Sequence, residues 1–192
     1  MKSVLIAIRP EWVEKIASGE KTIEVRKTAP QEVPFKAYIY ETQGRTEMPW
    51  IDEDGHFIYK GRGQVIGEFI CDKVYPIKNQ GSSFSVADEE QSVTNEIARQ
   101  SCLYYDDMVS YFGNKDGFGW HISDLKIYDK PKELSEFYIR KFDNNDYCSG
   151  CIHHETPITE YPCIDCRRDA FERKYLTRPP QSWMRVEGLR EE

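Results

Sequence analysis

The apolar residues of this chain come in runs no longer than a strand, which restricts it to a fold assembled from many short elements. The first run, SVLIAI over residues 3–8, is cut off by Arg9 and Pro10. Such a run suits a buried strand, whereas a helix crossing a bilayer needs about 20 apolar residues. It is also too short for the core of a secretory leader, and no small-residue cleavage site follows it, so a cytoplasmic protein without a membrane partner is expected. Pro10 sits where a helix starts, Trp12, Val13 and Ile16 recur at helical spacing, and Gly19 offers a stop. KTIEVRKTA (21–29) then alternates as a strand does, and KAYIYET (36–42) reads as another.

Residues 43–63 carry a DG turn at Asp54 and Gly55 and read as a hairpin excursion. QVIGEFICDKVYPI (64–77) reads as one long strand with a bulge or a close approach at Gly67, and residues 79–92 as an acidic loop. SCLYYDDMVSYFG (101–113) predicts a short helix capped by Ser101, with Leu103, Met108 and Phe112 inward and Gly113 as its stop. GFGWHISDLKIYD (117–129) returns to strand, and PPQSWMRVEGL (179–189) supplies a closing strand through Trp183 and Val186. Strands dominate, two short helices interrupt them, and there is neither βαβ alternation nor an internal repeat. The fold class is therefore α+β, mainly β, with a mixed small barrel favoured over a doubly wound sheet. The length of 192 residues suits one full core, and 13% aromatic residues exclude a disordered chain.

The six cysteines, in a reducing compartment, point to metal ligation or buried thiols rather than disulfides. Cys148 and Cys151 are separated by two residues, as are Cys163 and Cys166, and such turns each present two thiolates to one ion. Four sulfur ligands at about 2.3 Å complete a tetrahedral zinc site with no open position, hence a structural one. The intervening CIHHETPITEYPC is too poor in apolar residues to order itself, so metal would order it. His153 or His154 replacing a cysteine, a redox pair and an unoccupied loop are the alternatives. Cys71, in a strand, and Cys102, in a helix, read as buried thiols.

The formal net charge of −7 argues against non-specific attraction to nucleic acid, although both ends of the chain are mildly basic and would form a patch if they met. Against that background GEKTIEVRK (19–27) is heavily charged for a strand. Alternation puts Ile23 and Val25 on one face and Glu24 and Arg26 on the other, with Lys21 entering from the turn. A solvated polar face explains such a strand structurally. Two cations and a carboxylate also suit an anionic ligand or a base edge, and a lysine beside an arginine tends toward a lower pKa. Trp120 and His121 of the late strand offer a stacking ring and an acid–base group.

Together, SGEKTIEVRK after a short helix, GWHISDLKIYDKPKELSEF and PPQSWMRVE resemble the ASCH-domain proteins, in particular the group common in bacteria and their phages. The resemblance spans nearly the whole chain, and Gly19, Lys21, Glu24 and Arg26 match the family pattern Gly-x-Lys-x-x-Glu-x-Arg. It implies a PUA-like barrel, here expected from residues 1–146 and 167–192, with the four-cysteine zinc loop read from its spacing at 147–166 inserted before the closing strand. It also implies a cleft floored by Lys21, Glu24 and Arg26; with Trp120 and His121 as further lining candidates, the expected role is binding of RNA, a nucleotide or a modified base. The wider family includes amidohydrolases acting on acetylated cytidine, as well as ribonucleases. A hydrolase reading would therefore make Lys21 and Glu24 catalytic, although Glu24 stands where the amidohydrolases carry threonine. A third reading is a phage protein that binds a host factor through its acidic face or zinc loop.

Overall fold

The computed structural model describes residues 1–43, 61–81, 83–113, 115–140 and 173–189. Its strands are β1 (Ser3–Ile8), β2 (Ile23–Arg26), β3 (Phe35–Glu41), β4 (Val65–Cys71), β5 (Val74–Asn79), β6 (Phe84–Val86), β7 (Gly117–His121), β8 (Ser123–Lys132), β9 (Phe137–Arg140), β10 (Arg173–Tyr175), β11 (Trp183–Val186) and β12 (Gly188–Leu189). The helices are α1 (Pro10–Ala17), α2 (Gln91–Ser101) and α3 (Tyr105–Phe112). The fold is thus mainly β with short helices, as the sequence predicts.

The strands form a five-stranded sheet in the order β11-β1-β3-β4-β8, a four-stranded sheet β2-β7-β5-β6 and a three-stranded sheet β10-β9-β12. Among the described residues these are separate ladders, not one closed barrel. β1 lies near the middle of the first sheet, parallel to β3 and antiparallel to β11. α1 connects β1 to the second sheet. It starts with Pro10 at its first position, buries Val13 and Ile16, and ends before Gly19, whose φ of +79° only glycine adopts without strain.

Two apolar clusters bracket β2. Ile6, Ile8, Val13, Ile16, Phe69 and Trp120 pack between the first sheet and α1. Ile23, Val25, Ile77, Ile97, Met108 and Phe112 pack between the second sheet and helices α2 and α3. β2 is buried along its whole length, so its charged residues must find partners inside the protein.

Several boundaries differ from the sequence reading. The stretch 64–77 breaks at Asp72 and Lys73, which places β4 and β5 in different sheets. Residues 117–129 likewise divide at Ile122. The expected acidic loop at 79–92 contains β6 and the start of α2, because Val93 and Ile97 give an otherwise polar segment one apolar stripe. Ser101 does not cap a helix; it is the last residue of α2. Cys102, left-handed at φ 55°, ends α2 and turns the chain into α3, so it is half-buried at a helix terminus and not buried within a helix. At the start of α3, Asp107 of the first turn reaches back and accepts the Tyr104 N–H at 3.2 Å. Gly67 is the close-approach point expected: the β4–β8 register shifts beside it, and a Cβ there would meet the Lys126 carbonyl oxygen at 2.5 Å. The excursion at 44–60 and the four cysteines at 148, 151, 163 and 166 lie outside the described residues.

Candidate functional site: a buried charge cluster

The turn after α1 delivers Lys21 to the site. Its N–H donates to the Lys15 carbonyl at 2.9 Å, and the next N–H, of Thr22, donates to the Gln100 carbonyl at 3.0 Å, so the entry to β2 is tied to the ends of both α1 and α2. Within β2, Ile23 and Val25 point into the apolar cluster beneath α2 and α3. Glu24 and Arg26 therefore point the other way, onto the face shared with Trp120, the register partner of Glu24 on β7.

The three charged side chains are almost wholly enclosed: Lys21 is 2%, Glu24 5% and Arg26 7% exposed. Lys21 Nζ donates to the Ser101 carbonyl at 2.5 Å and lies 3.4 Å from Glu24 Oε2. Ser101 ends α2, so Lys21 satisfies a carbonyl that has no partner within the helix, at the negative end of the helix dipole. Arg26 Nη2 stands 3.0 Å from Glu24 Oε1 and donates to the Ala7 carbonyl at 2.6 Å. Trp12 adds a ring 5.2 Å from Lys21 Nζ. Burial pushes the Lys21 ammonium below the usual lysine range, against the opposing pull of Glu24. The cluster carries two cations against one carboxylate, shielded from water.

Two N–H donors on this layer remain unmatched. Arg26 Nε and Trp120 Nε1 are buried and have no hydrogen-bond partner among the described residues. An unmet buried donor costs about 1–3 kcal/mol, so the layer has a standing demand for acceptors.

Crystal structures of ASCH from Zymomonas mobilis share this arrangement of elements: one aligns with a TM-score of 0.52 and 17% identity over 97% of this chain and 88% of that one. Two single-residue variants of the same protein align with TM-scores of 0.52 and 0.51, each at 16% identity and 97% coverage of this chain. The chain has the ASCH-domain fold. No protein-family model and no curated protein matches it in sequence.

Within the ASCH fold the predicted site residues separate into two groups. Lys21, Glu24 and Arg26 converge, and Trp120 lies beside them but fully enclosed, its ring edge-on to Phe35 at 5.0 Å and to Trp183 at 5.8 Å. No face of Trp120 is open to stack on a base in this arrangement. His121 is the register partner of Ile23 and so lies on the opposite face from Glu24. Its Nδ1 is 2.6 Å from Asp72 Oδ1, and that contact holds the Asp72 carboxyl below the usual carboxylate range.

The site also contains groups that the sequence reading did not assign to it. The Ser101 carbonyl is one, and a backbone acceptor leaves no mark in a sequence. Tyr111 of α3 is another: its hydroxyl interacts with the Arg26 guanidinium, and the residue as a whole is 38% exposed. Ser182, just before β11, lies 3.5 Å from Arg26 Nη1. Among the described residues no group of three His, Cys, Asp or Glu side chains is arranged to hold a metal.

Proposed function

We propose that this ASCH-fold protein binds RNA, or a nucleotide or modified base, at the Lys21, Glu24 and Arg26 cluster. The observation that carries this reading is the surplus of donors in an enclosed layer. Two cations and two unmatched N–H groups face a single carboxylate. Phosphate oxygens and base carbonyls are acceptor-rich and suit that imbalance, and the carboxylate suits an exocyclic amine. Tyr111 touches both the cluster and solvent, which marks the α3 side as the approach. Binding of short RNAs and of mononucleotides, measured at low and moderate salt, tests the reading. Micromolar or tighter binding that falls when Arg26 becomes Ala is expected, and absence of binding to either ligand class at every salt concentration defeats it.

A second reading rests on the lowered pKa of Lys21. A neutral amine in an enclosed site can take a proton from a water molecule as it adds to an acyl or phosphoryl centre, so a hydrolase acting on an N-acylated nucleoside or on RNA is the alternative. Acetylcytidine and short RNAs serve as substrates for wild type and Lys21→Ala; equal rates remove Lys21 from catalysis. The Cys148, Cys151, Cys163 and Cys166 set is proposed as a structural zinc site, on ligand spacing alone.

A further inference from the structure

We infer that Tyr104 and Tyr111 are stacking posts for unpaired bases of single-stranded RNA, set at the mouth of the charge cluster; this deepens the RNA-binding reading and rests on it.

An exposed tyrosine on its own needs no explanation. Here two of them stand at the two ends of one short segment, Tyr111 against a cation that borders the cluster and Tyr104 beside the turn that delivers Lys21. Tyr104 is 83% exposed, the most open large side chain among the exposed apolar and aromatic residues described, and it precedes α3. It closely follows Cys102, whose thiol lies 3.5 Å from the Glu20 carbonyl in the turn before Lys21. The Lys15 carbonyl accepts the Lys21 N–H in that same turn. At the other end, Lys27 Nζ lies 5.1 Å from the Tyr111 ring centroid, and Lys27 directly follows Arg26. The tyrosines are thus held by the same two turns that deliver the buried charges, one at each end of β2.

The chemistry of this rim favours single strands over duplexes. Rings can stack only on bases that are already unpaired, and an A-form duplex offers backbone and 2′-hydroxyls rather than base faces. The rim is also not a uniformly basic surface. Lys15 is paired with Glu20 at 2.9 Å, and Asp106 and Asp107 begin α3, so attraction of phosphate is limited. Stacking must then supply most of the affinity. Two lysines near the rim give a slope of log K on log salt of about −1.4, shallow for a nucleic-acid binder. The Lys27 ammonium covers one face of the Tyr111 ring, so a base stacks there only by displacing it or else stacks on the opposite face.

The test is fluorescence anisotropy with a short labelled single-stranded RNA and a blunt duplex of the same length, titrated with the full chain as wild type, Tyr104→Ala, Tyr111→Ala, both together, and Tyr104→Phe. Circular dichroism and thermal melting confirm that each variant is folded. The expected result is preference for the single strand, a loss of roughly five- to 150-fold for each alanine, and retention by Tyr104→Phe, which keeps the ring. Wild-type binding that survives the double alanine variant, or that prefers the duplex, overturns the stacking posts while leaving RNA binding at the cluster in place. If the wild type binds neither RNA nor nucleotide, the RNA reading itself fails and the posts fail with it.

Discussion

Lys21 stands between opposing effects, burial disfavouring its charge while the Ser101 carbonyl and Glu24 favour it. Burial prevails, so its folded-state pKa lies below the ordinary 10.5. Between those two values the unfolded chain binds the proton more readily than the folded one, and stability contributed by this residue therefore rises with pH across that window. Below the window the cost of the buried charge is present in full; above it the cost is gone. The stability difference between wild type and Lys21→Met, followed by denaturant melts from about pH 7 to about pH 10, should move toward wild type as pH rises, and a flat difference would show that Lys21 does not titrate there. Glu24 is the other pivot. Glu24→Gln removes the partner of two buried cations and should cost about 3 kcal/mol or more. Replacing all three charges together by Lys21→Met, Glu24→Leu and Arg26→Met should be far milder, since a well-packed apolar set of similar volume often matches a buried ion group. A folded triple variant that no longer binds ligand would separate the functional role of the cluster from its structural one.

At the scale of elements, legibility in the sequence followed apolar density. β1 and α1 were readable because SVLIAI and the Trp12, Val13, Ile16 spacing are dense and are punctuated by Pro10 and Gly19. α2 is not, because only Val93, Ile97 and the small Ala98 mark its inner face and the rest of the helix is polar. The same sparseness bears on the site: in the sequence Ser101 reads as the start of a helix, whereas it is the end whose carbonyl holds Lys21. The Lys21, Glu24 and Arg26 grouping was legible from strand alternation, but its burial was not, since burial depends on α2 and α3 covering one face of β2 and on Trp120 covering the other. Gly67 was legible as a special position, and its role can be tested within its element. Gly67→Ala places a Cβ against the Lys126 backbone, which cannot move as a side-chain tip would, and should lower stability by about 1–3 kcal/mol. An unchanged denaturant midpoint would mean that β4 and β8 separate there at no cost. Gly19→Ala is the useful contrast, as nothing lies within 4 Å of its added Cβ and only the positive φ is strained, for about 1–2 kcal/mol.

For the whole molecule, the position of the cysteine segment makes the proposed zinc testable apart from the proposed ligand site. β9 and β10 are antiparallel neighbours, with Arg140 opposite Arg173, so the described residues that flank 141–172 lie side by side. Closing so long a segment costs entropy, and a metal that binds Cys148, Cys151, Cys163 and Cys166 together would offset much of that cost by cross-linking the loop within itself. The benefit should fall on the three-stranded sheet, whose Phe137 and Ile139 pack with Leu176 in a cluster shared with Leu5 and Val65. The clusters on either side of β2 draw on none of these residues. Removing metal with a chelator, or making Cys148→Ser, should therefore speed amide hydrogen exchange at 137–140 and 173–176 and leave 23–26 protected. Elemental analysis should find about one zinc per chain before chelation and none after. Uniform loss of protection across all three sheets would instead make the metal a support of the entire fold, and no change at 137–140 would detach the cysteines from the stability of β9 and β10.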